Sequence, residues 1–368
     1  MSYTTGVYAA AVFDASLNFL INQKHSDTVR IVLPAGQVAK IHVNREADIF
    51  ITQKATNDDE DVTRGCHIFA KTAYRKEDLS AYLSTINHTP HEFKFHNSQL
   101  YLYAGKGVGI ITKKGLKVKP GFPAINPVPQ SMIFEKWKDK ICNNENLSFF
   151  STIGVREGEE LAPLTANPKL GILGGISILG TGGIVKPISV TAYLESIEAE
   201  LSVAYHGDVK NIVLVLGNQS RELAKQLNYN DDQIVECGNF IFETIQKIID
   251  FNFTELTIIL GTGKACKLAQ GFKNTHRKEG EVDLHLLTKW MIEHRPSLSN
   301  VFLHSRLNTT LDADEKLIEA GFPHDLANLL AGKAISVMRS WIPADCKLRN
   351  ICIIVKGKET FVKREMSC

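Results

Sequence analysis

The sequence predicts a protein of mixed α and β structure in about two domains, the second built on a parallel, doubly wound sheet. Three observations carry this. The chain has 368 residues, more than a single core of ~100–200 residues usually organises. From Asn211 onward, short apolar strands alternate with amphipathic helices at the spacing of parallel crossovers. Ahead of that run, Gly171 to Ser189 reads GILGGISILGTGGIVKPIS and holds six glycines in nineteen residues. Glycine weakens a fold interior unless the backbone needs unusual angles or a close approach, so this stretch reads as a strand ending in a tight, bare loop.

Pro187 suits the first turn of a helix that continues through Glu195 and Glu198. A strand, a glycine loop and a helix start together present backbone N–H groups to a ligand. The competing reading is a closely packed crossover with no ligand.

Composition excludes several classes. A hydrophobic fraction of 44% and a charged fraction of 22% are those of an ordinary globular protein. A net charge of +2 gives no global signal for nucleic acid or a membrane surface. No apolar run approaches the ~20 residues of a membrane span, and the N-terminus lacks the basic flank of a signal peptide. The cysteines are scattered with no CxxC spacing, which points to a reducing, cytoplasmic compartment and no zinc site. His88, His91 and His96 fall in a polar segment read as exposed, and no protein-bound metal is expected.

Taken in order, Thr4 or Thr5 caps a helix over the alanine-rich stretch Ala9 to Leu20. Val29 to Leu33 and Val38 to Val43 read as strands around Pro34-Ala35-Gly36, and Ala47 to Gln53 as another strand. The acidic run Asp58-Asp59-Glu60-Asp61 is a solvated loop by its charge, with Asp61 as the cap of a helix opening at Val62-Thr63. Clustered carboxylates can also raise one pKa and supply a general base. Gly105-Lys106-Gly107-Val108-Gly109 is no dinucleotide loop, because β-branched residues rather than a helix follow it, and a glycine hairpin fits better. Gly121 to Pro129 is rigid and extended, with three prolines fixing φ and Asn126 held among them. Glu159 and Glu160 suit the first turn of a helix.

In the second half, Asn211 to Leu216, Ile234 to Glu236 and Leu256 to Leu260 are strands. Arg221 to Leu227 and Asn239 to Asp250 are helices. Gly217-Asn218 and Gly261-Thr262-Gly263-Lys264 then lie at strand C-terminal ends, where such sheets bind ligands. Gly263-Lys264-Ala265 is not a P-loop, since the upstream glycine and the Ser or Thr after Lys are missing. Asp312 to Ala320 and Leu326 to Arg339 read as helices, and Leu348 to Val355 as a strand. The expected boundaries are 1–203 and 204–344, with 345–368 a candidate to complete the first domain.

GGISILGTGGIVKPIS resembles the central signature of the CbiD family, cobalt-precorrin-5B C1-methyltransferases of anaerobic cobalamin biosynthesis. Further blocks resemble the family in the same order: Tyr3-Thr4-Thr5-Gly6, the acidic block with Asp58, Asp59, Asp61 and Thr63, the Gly105–Gly109 segment, and Ala124-Ile125-Asn126-Pro127-Val128-Pro129. So do Gly158-Glu159-Glu160 with Thr165, Asn167 and Pro168, then Gly217-Asn218, Asn239-Phe240, Gly263-Lys264, and Thr275-His276 with Asp283. The chain departs from the family pattern at Tyr8, where a cysteine is usual, at Gln130, where arginine is common, and at Gly261, where a histidine is usual.

The resemblance implies two domains, an α+β domain and a three-layer α/β/α domain with a mostly parallel sheet. It implies methyl transfer from S-adenosylmethionine to C-1 of cobalt-precorrin-5B, giving cobalt-precorrin-6A, with cobalt carried by the substrate. The alternative is a diverged, non-catalytic tetrapyrrole-binding homologue, which the departures at Tyr8, Gln130 and Gly261 leave open. A homo-oligomer or transient contact with other enzymes of the pathway is left open too.

Residue chemistry, not the resemblance, suggests roles. Asp58, Asp59, Asp61 and His276 are the acid–base and charge-balancing candidates. Gly174, Gly175, Ser177, Gly180, Thr181, Gly182, Gly217 and Asn218 are the donor-binding candidates. Thr4, Thr5, Lys106, Asn126, Lys186 and Lys264 are the candidates for meeting the macrocycle and its carboxylates.

Overall fold

The computed structural model describes residues 2–56, 61–141, 146–185, 190–303, 307–358 and 361–367. Its chain forms two compact units, Met1–Ser189 and Val190–Cys368. Asp58, Asp59, Lys186 and the expected helix start at Pro187 lie outside the described residues.

The first unit begins with α1 (Thr5–Asn22), in which Val7 to Phe13 are all buried. A helix apolar on every side belongs in a core, and the small side chains of Ala9, Ala10 and Ala11 let neighbours come close. Gln23 ends it in the left-handed region (φ 52), its N–H donating to the Phe19 carbonyl at 2.9 Å. The expected hairpin follows as β1 (Thr28–Val32) and β2 (Val38–His42). Next come β3 (Asn44–Glu46), β4 (Ile49–Gln53), β5 (His67–Ala73), β6 (His91–Phe95), β7 (Ser98–Ala104), β8 (Gly107–Val108) and β9 (Ile110–Ile111). After α2 (Pro127–Lys138) come β10 (Ser148–Val155), α3 (Gly158–Leu161), β11 (Ile172–Leu173) and β12 (Gly175–Ile176).

The main sheet runs β3-β4-β5-β10-β7-β6, antiparallel except where β7 meets β10. The apolar core joins α1 residues such as Phe13 and Leu17 to Phe50, Ile68, Leu100 and Phe149 of the sheet and Trp137 of α2.

Four local expectations change. The Gly105–Gly109 segment is not a hairpin: β8 leaves β7 to pair in parallel with β12, and β9 pairs with β11. Val128 and Pro129 are helical, because Pro127 takes the first position of α2, where its missing N–H costs nothing. No helix opens at Val62; the Asp61 carboxylate instead accepts from the Thr63 N–H (2.8 Å) and hydroxyl (2.7 Å), closing a turn. His91 is buried rather than exposed, stacked on Phe122 with its Nε2 3.0 Å from the Pro123 carbonyl.

The second unit holds α4 (Val190–His206), β13 (Asn211–Val215), α5 (Asn218–Gln226), β14 (Ile234–Glu236), α6 (Ile241–Asp250), β15 (Glu255–Gly261) and α7 (Thr262–Ala269). It continues with α8 (Leu284–His294), α9 (Ser299–Leu303), α10 (Thr310–Glu319), α11 (Asp325–Arg339), β16 (Asn350–Lys356) and β17 (Phe361–Ser367). The sheet order is β14-β13-β15-β16-β17, parallel except for the last strand. Ile212, Leu214 and Ile258 face one apolar cluster, while Val213, Val215 and Ile259 face another. Both faces of the sheet are therefore covered, as the doubly wound reading requires.

The boundaries differ from the sequence reading. Ile197 and Leu201 place α4 in the core of the second unit. β16 and β17 complete that unit's sheet rather than the first domain. The run Ile351 to Val355 is buried throughout, as an interior strand of a parallel sheet covered on two sides demands.

Candidate functional site

In the first unit, the stretch from Ser177 to Val185 is strapped across the N-terminus of α1. The Gly6 N–H donates to the Leu179 carbonyl at 3.0 Å, the Thr4 N–H to Gly183 at 3.0 Å, and the Val185 N–H to Ser2 at 2.9 Å. Thr5 is committed to this strap: its hydroxyl accepts from the Leu179 N–H at 3.0 Å and donates to that residue's carbonyl at 3.2 Å. The N-terminus of α2 arrives at the same place, with the Asn126 N–H on the Ile178 carbonyl at 2.9 Å.

Two long helices therefore point their positive ends at one loop. At its crest Leu179, Thr181 and Gly182 are exposed and Gly180 is half-buried, and a Cβ at Gly182 would meet nothing within 4 Å. Thr4 is the N-cap of α1, yet its side chain makes no capping bond. Its hydroxyl oxygen is buried with no partner among the described residues, and it lies against Gly180. Asn126 likewise makes no side-chain cap to α2. The backbone donors at both helix starts are spent on the strap and the Thr4 hydroxyl is sealed beneath Gly180, so the crest offers a ligand bare, exposed glycine with the half-buried Asn126 side chain beside it.

Replacing Thr4 by Val removes a buried hydroxyl that bonds to nothing, so the unfolding midpoint is expected to hold or rise. A fall of several degrees in a thermal melt would show that the hydroxyl is satisfied in the free protein.

The acidic loop attaches to the next turn of the same helix. The Tyr8 hydroxyl accepts from the Ala55 N–H at 3.0 Å. Burial raises the Tyr8 pKa, so the phenol is neutral. Lys54 is 1% exposed and its Nζ hydrogen-bonds Asp61. Burial by itself would raise the Asp61 pKa. The bonds from Lys54 and Thr63 together outweigh that and hold it below the ordinary carboxylate range.

Asp61 is thus an ionised anchor with both oxygens occupied, not a base waiting for a proton. The base of the loop is closed by the Lys54 N–H on the Cys66 carbonyl (2.9 Å) and the Gly65 N–H on the Lys54 carbonyl (3.1 Å). Burial pushes the Cys66 thiol up to about 12, so it is no thiolate nucleophile.

Other expected residues serve packing. Gly175 lies against the backbone of Gly107, and Gly174 against Ile86. The Ser177 hydroxyl donates to Asn167 Oδ1 at 3.2 Å, and the Asn167 amide donates to the Gly175 carbonyl at 3.3 Å. These three positions hold the crossover, and Gly180 packs on Thr4, while Thr181 and Gly182 are exposed at its crest. Lys106 is exposed on the segment before β8. Gln130 donates to the Ile125 carbonyl at 2.6 Å and reaches His91, a structural post rather than a carboxylate contact.

In the second unit, Gly217 and Asn218 open α5 after β13, and Gly261 to Lys264 open α7 after β15. The Lys264 Nζ donates to the Leu216 carbonyl at 2.8 Å. His276 caps a short 3₁₀ turn, its Nδ1 accepting from the Lys278 N–H at 3.1 Å. That fixes one ring nitrogen as an acceptor and leaves Nε2 as the group open to a ligand. Among the described residues no cluster of three or more His, Cys, Asp or Glu is disposed to hold a metal ion. Among them, too, no helix is long and apolar enough to cross a membrane.

Lys54 is the residue of this candidate region that sequence reasoning missed, and Tyr8 stood out there only as a departure from the family pattern. Lys54 directly follows β4, whose first four residues are buried, and the acid Asp61 stands 7 positions further on; that conjunction was the available signal.

Comparison with known proteins adds a family. A profile of the CbiD family matches residues 1–187. The cobalt-precorrin-5B C(1)-methyltransferase of Methanococcus maripaludis (strain C5) is 36% identical over 325 residues, covering 87% of this chain and 85% of that protein. The protein of the same name from Pseudomonas syringae pv. tomato is 34% identical over 364 residues, covering 96% of this chain and 92% of that one. A crystal structure of a cobalamin biosynthesis protein (cbiD) from Archaeoglobus fulgidus aligns at 25% identity and a TM-score of 0.38, covering 76% of this chain and 82% of that chain.

Proposed function

Since this chain belongs to the CbiD family, we propose that it methylates C-1 of cobalt-precorrin-5B, with S-adenosylmethionine as the donor. The products are cobalt-precorrin-6A and S-adenosylhomocysteine. The observation that carries the reading is the match to cobalt-precorrin-5B C(1)-methyltransferases at 34% identity over 96% of the chain. It favours an enzyme over a non-catalytic tetrapyrrole binder.

The chemistry asks little covalent help from the protein. The sulfonium carbon–sulfur bond breaks with its electron pair left on sulfur, and C-1 supplies the pair for the new carbon–carbon bond. The ring is left one positive charge richer, which loss of a proton to a carboxylate cancels. The protein must align the two carbons, exclude water and complement charge.

The crest at Thr181 and Gly182, a donor-binding candidate in the sequence, is read here as meeting a carboxylate of the macrocycle, with Asn126 donating its side-chain amide. Lys106 and Lys186 supply further positive charge. Asp58 and Asp59 are the proton acceptors or sulfonium counter-charges, while Lys54, Tyr8 and Asp61 fix described residues on either side of them in sequence. His276 Nε2 is a second acid–base candidate. The cobalt ion belongs to the substrate, and the reaction is placed in the cytoplasm.

Anaerobic incubation with cobalt-precorrin-5B and S-adenosylmethionine tests this. S-adenosylhomocysteine is expected to form in step with macrocycle consumption. Macrocycle binding without any donor turnover would instead support the non-catalytic binder. In the same assay Asn126→Ala is expected to raise KM for the macrocycle severalfold and to leave kcat nearly unchanged.

A further inference from the structure

The sheet order of the second unit reverses between β13 and β15, since β14 lies to one side of β13 and β16 to the far side of β15. In open parallel sheets the connections leaving such neighbours go to opposite faces, and a crevice opens outside the strand C-terminal ends. The residues framing this one are unusually bare. Gly217 follows β13, and Gly261 and Gly263 flank the start of α7. A Cβ at Gly217 would meet nothing within 4 Å.

Two charged side chains stand at this end of the sheet. Lys264 is half-buried, and its Nζ donates to the carbonyls of Leu216 (2.8 Å) and Gly238 (3.5 Å). Both partners are carbonyls, and no carboxylate pairs with this ammonium among the described residues. Burial lowers its pKa, which marks a charge short of compensation.

Glu236 is the last residue of β14. Its Oε2 accepts from Arg221 Nη2 at 2.8 Å, which orients the carboxylate and leaves its other oxygen to accept from a ligand. The Lys264 bond to Gly238, two residues beyond Glu236, brings both charges to the same end of the sheet. Beside them the Tyr193 hydroxyl donates to the Glu236 carbonyl at 3.2 Å, and the Tyr193 ring lies 5.5 Å from that of Phe240. An acid about twenty residues beyond a glycine turn, at the end of the adjacent strand, is the arrangement that accepts ribose hydroxyls in nucleotide-binding sheets.

We infer that this crevice binds the methyl donor through both its ends, the ribose hydroxyls on the Glu236 carboxylate and the amino-acid carboxylate on Lys264. The inference rests on the proposed methyl transfer and deepens it. Lys264 moves from the macrocycle to the donor, and Glu236 joins Gly217 and Asn218 as a donor-binding residue. Tyr193 and Phe240 supply aromatic faces beside the ribose. The site calls for a ligand that carries vicinal hydroxyls and an anionic group, which S-adenosylmethionine and S-adenosylhomocysteine both do.

Calorimetric titration with S-adenosylhomocysteine and with methylthioadenosine, which lacks the amino-acid carboxylate, tests the assignment. The full-length protein is expected to bind S-adenosylhomocysteine at least tenfold more tightly than methylthioadenosine. Lys264→Met should abolish that preference, and Lys264→Arg should keep it. Glu236→Gln should weaken both ligands at least tenfold.

A readout on the unaltered protein stands beside these. S-adenosylhomocysteine should protect Lys264 from acetylation by acetic anhydride, read by peptide mass spectrometry. Unchanged affinities in both variants, or undiminished labelling of Lys264 with ligand bound, would overturn the inference while methyl transfer by the wild-type protein left the function standing. Absence of methyl transfer from the wild-type protein would remove the function and this inference together.

Discussion

Gly107→Ala is expected to abolish the soluble folded protein. A methyl group there would lie 1.8 Å from the Val155 carbonyl oxygen, at a φ of +76 that side chains rarely adopt. The neighbours cannot yield, because they are backbone. Gly158 and Gly175 press on Gly107 in turn, and a Cβ on either would come within 2.0 and 2.2 Å of its backbone. This contact lets β8 leave the main sheet and pair with β12, so losing it dismantles the base of the glycine loop. The cost falls in the exceptional class, above about 4 kcal/mol. Gly182→Ala is the contrast: with nothing within 4 Å of the added methyl, stability should stay within about 0.5 kcal/mol. Urea unfolding separates the two. Equal destabilisation would mean the crest of the loop is packed, not open. If the crest meets substrate, Gly182→Ala should lower activity without that loss of stability.

Asp61→Asn carries the second large effect. It leaves Lys54, at 1% exposure, as an uncompensated buried cation. Removing one partner of such a pair costs about 3–5 kcal/mol. Exchanging both residues for apolar ones, Lys54→Met with Asp61→Leu, should recover most of that, since the desolvation of two charges disappears with them. Acid has the same target. The folded pKa of Asp61 lies below its unfolded value. Its contribution is therefore present above about pH 4, the unfolded carboxylate value, and is lost as pH falls through the folded pKa. Urea midpoints for the wild-type protein should drop below pH 4, and the variant should show a shallower drop. Matching profiles would mean that the pair does not hold the loop.

The second unit was legible almost strand by strand, because apolar runs such as Asn211 to Val215 and Glu255 to Gly261 are bounded by glycine and polar turns. The burial of α1 was written in Val7 to Phe13. What failed to show was anything decided by a distant partner. Gly107 looks like a hairpin residue until Gly175, far along the chain, lies against it. Lys54 looks like a surface lysine until Asp61 folds back onto it. His91 looks exposed in a polar segment until Phe122 and Pro123 cover it.

The final strands were misassigned because an apolar run fits any covered sheet, and only the register against β15 says which one. The candidate site was legible in part. Gly180 to Gly182, Thr4 and Asn126 do gather at one place, whereas Gly174, Gly175 and Ser177 share the motif but serve packing. Glu236 gave no sign in isolation. It matters through its place at the end of β14, beside a switch in strand order.

The most direct test of the whole account is the fate of a carbon-13 methyl group. S-adenosylmethionine labelled at that carbon is incubated anaerobically with the protein and cobalt-precorrin-5B, and the product is examined by mass spectrometry and carbon-13 NMR. One labelled methyl per macrocycle, bonded to C-1, is the expected result. A product with no label, or with the label on any other carbon, would contradict it.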